Sequence, residues 1–446
     1  MDLKKTVQNA LLRLSSIELS NEKKKSLALA LTGIAAILVI GGTGGVHGGL
    51  LSPLGMGRAH RSIQGINKSG YEVFGFAPYW NINKLDQVDF SVLTTFAYFG
   101  VGVKADGSLN KADVGYTTFK GKKARALFDK AHAKNSKVVL TITQMNNSAI
   151  EKLLNSEEAQ NKVIAQTIEE VKAEGLQGVN VDFEYGGNPG QSYQDKFSKF
   201  IAKFSDELHK QVPNSQISAS VYASAAMGGQ LYDIASIGKS VDLVFMMAYD
   251  FAVAGSDNAI PTAPLYGHKE GKYWFDIDTA VAQFSEKMDP KKLVLGTAWY
   301  GYNHAVYNPE VKAETKKGYY ITKTVKTKKG KRRVRAYVPG PKGFAQTYQI
   351  ADEIDADMEG ITDYQEGWDD SGKVGWKAYK KNGTWRMVFA EDTKSLAIKY
   401  DYAKEKSLGG VGAWALGFEG DKSEMWDLLR EKFGPKLATT IGGNIN

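Results

Sequence analysis

Cysteine is absent from the 446 residues, and histidine occurs only six times. The absence of cysteine excludes disulfide bonds and thiolate zinc sites. The histidines are scattered and form no H-E-x-x-H pair, so the sequence predicts no metal site. Neither G-x-x-x-x-G-K-[ST] nor a strand-linked G-x-G-x-x-G is present, and we therefore expect no nucleotide and no other cofactor.

The positive charge of the chain is concentrated in two segments. The total net charge is +8, of which residues 1–25 carry +3 and residues 312–342 carry +11. The remaining residues are therefore net acidic. A basic surface spread over the whole protein is excluded, and we expect no nucleic-acid partner.

The N-terminal region has the pattern of a membrane anchor. Lys23-Lys24-Lys25 precede twenty uncharged residues, 27–46, about enough for a helix to cross a ~30 Å hydrocarbon core. Because lysines before a span stay in the cytoplasm, we expect a cytoplasmic leader (1–25), a single transmembrane anchor (26–46) and a linker (47–70), with the rest extracytoplasmic. A cleaved signal peptide is the alternative, because the strongly apolar part ends at Ile40.

From residue 71 onward, strand-like apolar runs alternate with helix-like segments, as in repeated βα units. Helical segments such as 122–134, 157–174 and 193–211 separate the strand candidates. This pattern predicts an α/β fold, a (β/α)8 barrel over residues 71–433 followed by a tail (434–446), with its site at the C-terminal ends of the strands. The eight strand candidates are 73–77, 92–99, 137–143, 178–184, 216–222, 241–249, 293–298 and 410–416.

The interval between the seventh and eighth strands is too long for one helix. The β-rich runs 319–327 and 332–338 flank Lys328-Lys329-Gly330-Lys331 and predict a hairpin with a basic tip. Residues 344–354 have the pattern of a helix. We expect a small α+β insertion at about 302–385, and the hairpin is open to two interpretations, a solvated turn or a binding surface for anionic polymers.

The most informative segment is Gln177-Gly178-Val179-Asn180-Val181-Asp182-Phe183-Glu184. In a strand, the apolar residues point to one face, whereas Asn180, Asp182 and Glu184 point to the other. Carboxylates that point into a protein interior are costly unless they are paired, hydrogen-bonded or used. Glu184 at the end of the row is therefore a candidate proton donor.

This segment resembles the signature D-G-x-D-x-D-x-E of glycoside hydrolase family 18, whose last Glu is the catalytic acid at the end of barrel strand four. Asp182 and Glu184 match, whereas Gln177 and Asn180 replace the first and middle Asp. The Asn-containing form is similar to the branch that acts on bacterial cell walls and spore cortex. Four other strand ends resemble family landmarks in the same chain order, namely 76–80, 247–250, 295–301 and 412–417.

The resemblance implies retaining, substrate-assisted hydrolysis beside N-acetylglucosamine, with Glu184 as acid and then base. Asp182 would hold the acetamido N–H and stabilise the oxazolinium ion. Repulsion between the two carboxylates predicts a raised pKa that keeps Glu184 protonated near neutral pH, and Asn180 is expected to hydrogen-bond Asp182. The other expected substrate contacts are Tyr249, Asp250 and Trp414, with Tyr79, Trp80, Trp299 and Tyr300 as further candidates for lining the cleft.

These expectations describe a membrane-anchored enzyme whose partner is an N-acetylglucosamine-containing polysaccharide, with bacterial peptidoglycan as the preferred substrate. Two alternatives stay open, a chitinase acting on chitin oligomers and a non-hydrolytic chitinase-like binding protein. The presence of Glu184 favours an enzyme, because chitinase-like binding proteins typically lack that acid.

Overall fold

The computed structural model describes residues 70–327 and 330–434. Its strands are β1 Glu72–Pro78, β2 Thr95–Gly102, β3 Lys137–Gln144, β4 Gly178–Phe183, β5 Gln216–Tyr222, β6 Leu243–Met247, β7 Leu293–Ala298, β8 Tyr300–Val306, β9 Tyr319–Thr327, β10 Gly330–Val338, β11 Phe344–Thr347, β12 Ile361–Asp369, β13 Val374–Lys381, β14 Thr384–Ala390 and β15 Gly410–Trp414. Its α-helices are α1 Val114–Phe119, α2 Lys122–Ala133, α3 Asn147–Leu154, α4 Glu157–Glu174, α5 Gln191–Gln211, α6 Ile234–Ser240, α7 Ile277–Ser285, α8 Tyr348–Asp352, α9 Thr393–Glu405 and α10 Glu424–Phe433.

Eight parallel strands close into a barrel in the order β1-β15-β7-β6-β5-β4-β3-β2. Helices follow most of these strands and cover the outside of the barrel. The predicted α/β barrel is confirmed, and β5 and β7 have the predicted bounds. Since the strands are parallel, their C-terminal ends meet at one end of the barrel, where the candidate residues are brought together.

The connection from α4 to β4 shows how local sequence positions the site. Ser156 caps the N-terminus of α4 by accepting from the backbone N–H of Ala159 at 3.1 Å. Gly175 ends the helix with φ 67°, in the left-handed region that glycine adopts without strain. A Cβ at Gly178 would lie 2.0 Å from the carbonyl oxygen of Gln216, so the close pairing of β4 with β5 requires glycine there.

The barrel wall separates two apolar regions. Alternate residues of β4 point outward, where Phe183 stacks on Phe200 of α5 with ring centroids 5.9 Å apart. The inside contains a smaller aromatic cluster built on Phe74, Phe76 and Phe245. The inward residues of β4 are Asn180 and Asp182, as the alternation predicted, and they carry polar groups into the barrel.

Between β7 and β15 the chain forms a five-stranded antiparallel sheet in the order β11-β8-β14-β13-β12. This sheet spans residues 300–390, whereas the sequence placed the insertion at about 302–385. The predicted helix at 344–354 is wrong in its first part, because Phe344–Thr347 pairs with β8 as the edge strand β11. Only Tyr348–Asp352 is helical, and Thr347 caps it.

The predicted leader (1–25), anchor (26–46) and nearly all of the linker (47–70) lie outside the described residues, as does the tail beyond residue 434. Within 70–327 and 330–434, no helix has both the length and the apolar composition needed to cross a bilayer.

Candidate active site

Asp182 is the last inward-pointing residue of β4, and Glu184 follows the strand on the same side. The strand continues in register far enough for the backbone N–H of Glu184 to donate to the carbonyl oxygen of Gln144 at 2.9 Å. Because side chains two residues apart in a strand share a face, the two carboxyl groups are neighbours at the C-terminal end of the barrel.

Asp182 is 3% exposed, and its Oδ1 atom accepts no hydrogen bond within the described structure. Burial raises the pKa of this carboxyl well above its ordinary value, and the charge of Glu184 raises it further. A buried carboxylate oxygen without a donor is costly. The Oδ1 atom of Asp182 can therefore accept a hydrogen bond from a bound molecule.

The phenol of Tyr222, the last residue of β5, lies beside the carboxyl of Glu184. Burial raises the pKa of Glu184, the interaction with Tyr222 opposes that rise, and the charge of Asp250 adds to it. With Asp182 beside it, Glu184 belongs to a pair of carboxyls that resist simultaneous ionisation. The pKa is raised for both members of the pair, chiefly by burial rather than by the mutual repulsion from which the rise was predicted.

Two tyrosines on the β5 side belong to this site, and sequence reasoning missed both. Tyr232 donates to the carbonyl oxygen of Phe183 at 2.8 Å, one residue before Glu184. Its ring meets that of Tyr222 edge to face, with centroids 5.6 Å apart. The available signal was the position of Tyr222 at the C-terminal end of a predicted barrel strand.

Asp250 follows β6 and is held by two tyrosines of the insertion sheet. The hydroxyl of Tyr300 donates to its Oδ1 atom in a short hydrogen bond, and that of Tyr302 does so at 3.1 Å. Asp250 is exposed to solvent, yet protein atoms surround its carboxyl closely enough for burial to raise its pKa to about 6. The insertion thus supplies part of the site.

Tyr249 lies among the three carboxyl groups. Burial raises the pKa of its phenol, and the charges of Asp182, Asp250 and Glu184 raise it further, in that order of effect. Its ring also meets that of Tyr300 edge to face at 6.0 Å. A protonated phenol in this position can donate one hydrogen bond to an acceptor in the cleft.

Trp414 ends β15 and is half-buried above the aromatic cluster inside the barrel. Its ring meets Phe99 at 4.6 Å, Phe76 at 5.5 Å and Trp80 at 6.3 Å between centroids, each close to edge-on. These contacts fix the indole plane while leaving part of it accessible. A fixed aromatic plate of this kind suits the apolar face of a sugar ring.

A further aromatic ring is exposed beside β6. Trp274 is 56% exposed, and its indole N–H donates to the carbonyl oxygen of Phe251 at 2.9 Å. Phe251 directly follows Asp250 in the chain. The exposed indole is therefore anchored one residue from the carboxyl cluster.

Two sequence-based expectations need correction. Asn180 does not bond Asp182, because its side chain is engaged by two serines of β5. It donates to Ser220 Oγ at 3.0 Å and accepts from Ser218 Oγ at 2.8 Å. Trp299 is 0% exposed and packs edge to face on Trp426 of α10 at 5.3 Å, so it cannot line a cleft.

Tyr79 is half-buried, and its ring meets that of Trp80 edge to face with centroids 4.9 Å apart, so its contact with substrate stays a prediction. Burial and the charge of Asp113, the cap of α1, raise its pKa. Trp80 packs with Trp414 against the aromatic cluster inside the barrel.

The assembled site contains carboxyl, phenol and indole groups and can transfer protons and bind a sugar. In the described part of the chain, no group of three or more His, Asp or Glu side chains is arranged to hold a metal ion. A carboxyl with a raised pKa, half-exposed at the bottom of a cleft, can donate a proton and later accept one.

Comparison with protein families matches residues 72–419 to glycosyl hydrolases family 18. Human di-N-acetylchitobiase is 23% identical over 352 residues, which cover 75% of this chain and 83% of that protein. The cortical fragment-lytic enzyme of Bacillus subtilis (strain 168) is 22% identical over 312 residues, which cover 68% of this chain and 61% of that enzyme.

Two solved structures share the fold. The Group IV chitinase of Ostrinia furnacalis in complex with allosamidin has a TM-score of 0.64 at 19% identity, covering 81% of this chain and 97% of that one. The GH18 chitinase of Cycas revoluta in complex with (GlcNAc)3 has a TM-score of 0.64 at 20% identity, covering 82% of this chain and 100% of that one. The resemblance stated from the β4 segment is confirmed: the chain belongs to glycosyl hydrolases family 18 and is a glycoside hydrolase.

Proposed function

We propose that this glycoside hydrolase cleaves β-1,4 bonds beside N-acetylglucosamine in bacterial peptidoglycan, with retention of configuration. The observation that carries the proposal is the pair Asp182 and Glu184, two adjacent carboxyls with raised pKa at the end of β4. Family 18 is an exception to the two-carboxylate rule of most glycosidases, because the 2-acetamido group of the substrate acts as the nucleophile.

In the first step, Glu184 donates its proton to the glycosidic oxygen. The acetamido carbonyl oxygen attacks the anomeric carbon as the bond to the leaving sugar breaks, which gives an oxazolinium ion and a free hydroxyl. Asp182 accepts the acetamido N–H and stabilises the positive charge. The unpartnered Oδ1 atom of Asp182 is suited to this bond, since no protein donor competes for it.

In the second step, the carboxylate of Glu184 takes a proton from water. The water oxygen attacks the anomeric carbon on the side that the leaving group vacated, and the acetamido oxygen departs. Two displacements at one carbon give net retention. Tyr249 donates to the acetamido oxygen, Asp250 binds a sugar hydroxyl or Tyr249, and Trp414 supports the sugar ring.

Peptidoglycan is preferred over chitin for two reasons. Asn180 is the variant of the signature associated with the wall-lytic branch, and the cortical fragment-lytic enzyme of B. subtilis is among the relatives. The lysine-flanked apolar segment at 26–46 supports a membrane anchor with the barrel outside the cell, where wall material is the nearby polymer. Secretion after signal cleavage is the alternative localisation.

The test compares the full chain with Glu184→Gln on purified peptidoglycan and on N-acetylglucosamine oligomers. Glu184→Gln should abolish turnover on both and leave the melting temperature nearly unchanged. Glu157→Gln, at an exposed position on α4, is the matched control and should keep full activity. Mass analysis of the products should show cleavage beside N-acetylglucosamine in peptidoglycan.

Two results would point to the alternatives, of which the chitinase is supported by human di-N-acetylchitobiase and the chitinases among the related proteins. Rapid cleavage of chitin oligomers without cleavage of peptidoglycan indicates a chitinase. Binding without hydrolysis of either polymer indicates a chitinase-like binding protein and removes the proposed role of Glu184.

A further inference from the structure

Strands β9 and β10 form a two-stranded sheet that is separate from the five-stranded sheet of the insertion. We call this pair, Tyr319–Thr327 with Gly330–Val338, the basic hairpin. An isolated two-stranded hairpin is only marginally stable in water and builds no core of its own. The catalytic proposal gives it no role, yet it contains much of the positive charge of the chain.

The pairing register sorts its side chains onto two faces, because directly paired residues in an antiparallel ladder share a face. One face, here called the cationic face, is formed by the pairs Tyr320–Tyr337, Thr322–Arg335, Thr324–Arg333 and Lys326–Lys331. The opposite face carries the apolar residues Ile321, Val325, Val334, Ala336 and Val338 together with two cations, Lys323 and Arg332. Four of the six cations of the two strands therefore lie on the cationic face, in three successive levels.

The aromatic end of the cationic face is exposed and preformed. Tyr320 and Tyr337 are 59% and 55% exposed, and their ring centroids are 5.1 Å apart. The guanidinium of Arg335 lies 4.2 Å from the centroid of Tyr320. A cation held against an aromatic ring offers an anion site beside a surface on which a sugar can stack.

The cations of this face have no acidic partner within the described residues. Lys326, Lys331, Arg333 and Arg335 form no salt bridge there, whereas Lys317 at the base of the hairpin pairs with Asp257. The sequence explains this, since no acidic residue occurs between Glu314 and Asp352. Uncompensated like charges on one narrow face repel one another, and an anionic ligand would relieve that repulsion.

The base of the basic hairpin is attached to the loop that follows β6. Thr315 donates to the carbonyl oxygen of Ser256 at 2.6 Å, and Lys317 bonds Asp257. That loop begins at Asp250, the cleft residue held by Tyr300 and Tyr302. The hairpin therefore starts from the same rim of the barrel as the proposed cleft.

We propose that the cationic face binds an anionic glycan strand, a polysaccharide whose sugars carry carboxylate groups, and holds it beside the cleft. Successive residues on one face of a strand are about 7 Å apart, so three levels of cations can meet a repeating row of anions. The inference rests on the proposed function, because it identifies that strand as the peptidoglycan substrate.

Charge distribution favours this partner over a nucleic acid. The protein outside its two basic segments is net acidic, which opposes the wide phosphate contact that duplex binding requires. The paired tyrosines add a surface for sugar rings that a phosphate-binding site does not need. DNA and anionic lipid are therefore competitors in the test.

The experiment uses the full chain in detergent with Glu184→Gln as background, so that hydrolysis does not alter the polymer. Lys326, Lys331, Arg333 and Arg335 are all changed to Gln. The matched control neutralises four exposed lysines of the barrel instead, namely Lys134, Lys152, Lys199 and Lys239. Cosedimentation with purified peptidoglycan sacculi is measured at about 0.05 M and about 0.5 M salt.

The hairpin variant should bind sacculi about tenfold more weakly at low salt, and the difference should vanish at high salt. The barrel variant should bind as the parent does. With Glu184 restored, the hairpin variant should cleave neutral N-acetylglucosamine oligomers at the parent rate, which also shows that it is folded. Tyr320→Ala with Tyr337→Ala should weaken binding at both salt concentrations.

Equal binding of the hairpin variant and its parent to sacculi overturns the inference, as does a loss of binding to duplex DNA or to vesicles containing anionic lipid that is larger in the hairpin variant than its loss on sacculi. These outcomes leave Glu184-dependent cleavage intact, so they do not touch the proposed function. Failure of the proposed function appears separately, as intact peptidoglycan after incubation with the active chain.

Discussion

The phenol of Tyr222 lies beside the carboxyl of Glu184, at the ends of the adjacent parallel strands β5 and β4. This interaction lowers the pKa of Glu184, whereas burial and the charge of Asp250 raise it. The pKa of the proton donor, Glu184, therefore depends on opposing influences from residues at the ends of three barrel strands, β4, β5 and β6.

Tyr222→Phe removes the influence that favours the ionised form of Glu184. The pKa of Glu184 should rise, and because the acid must be protonated to act, the alkaline limb of the kcat/KM profile should move to higher pH. The profile is measured on a soluble N-acetylglucosamine oligomer.

Tyr116→Phe is the matched control, since Tyr116 donates to Glu170 at 2.6 Å far from the cleft. That variant should keep the parent profile. An alkaline limb that stays in place in Tyr222→Phe would show that Glu184 is not the group that titrates there.

Asp182→Asn should separate stability from activity. The pKa of Asp182 is higher in the folded than in the unfolded state. Its contribution to stability is therefore complete below about pH 4 and is lost as pH rises through the raised pKa. Each unit of difference between the two pKa values corresponds to about 1.4 kcal/mol. Asparagine cannot ionise and avoids that loss. The variant should melt higher than the parent at pH 8, with a smaller difference at pH 4, and turn over at least about a hundredfold more slowly.

Asp106→Asn is a control for which the change in stability at pH 8 should have the opposite sign. Hydrogen bonds from Ser108 lower the pKa of the exposed Asp106 to about 2, so its contribution is present above about pH 4 and is lost as pH falls. This variant should lose stability at pH 8 and keep its activity. A lower melting temperature for Asp182→Asn at pH 8 would contradict the account of Asp182.

Trp299 follows β7, Trp414 ends β15, and both were expected to contact the substrate, but their substitution by alanine should have different effects. Trp299 is fully buried, and Trp299→Ala should cost about 3–5 kcal/mol of unfolding free energy with an unchanged KM. Trp414→Ala should lower kcat/KM by at least about tenfold with a smaller loss of stability. Urea unfolding and steady-state kinetics distinguish the two, and a raised KM in Trp299→Ala would contradict its placement in the core.

The barrel and the acid pair could be predicted because they depend on local alternation. A period of two in β4 sends Asp182 to one side and Phe183 to the other whatever the strand pairs with, and the closed topology agrees. The family motif then identified Glu184. Neither step needed knowledge of contacts distant in sequence.

The errors arose where such distant contacts decide the outcome. Trp299 stands between the last residue of β7 and the first residue of β8, where the chain leaves the barrel for the insertion sheet, and no local pattern gives the direction of its side chain. Residues 344–347 became a strand because β8 offered an unpaired edge. Asn180 forms its hydrogen bonds with two serines about forty residues further along the chain rather than with Asp182.

A last prediction concerns the attachment of the insertion to the barrel. Glu391 directly follows β14, and its carboxylate is paired with Lys399 of α9 in a short bond, with side chains 1% and 0% exposed. Burial raises the pKa of Glu391, and the charge of Lys399 opposes the rise. Lys399→Met would leave a buried carboxylate uncompensated and should cost about 3–5 kcal/mol at pH 8.

The loss should shrink as pH falls, because Glu391 without its lysine has a higher pKa and becomes protonated, which removes the buried charge. A second change, Glu391→Leu, should restore much of the stability, since replacing a buried pair by apolar groups is often neutral. The control is the exposed pair Lys203–Glu157, where Lys203→Met should cost less than about 1 kcal/mol. Urea unfolding at pH 5 and pH 8 gives these values, and a Lys399→Met loss that is small and independent of pH would mean that the pair contributes no more than a surface contact.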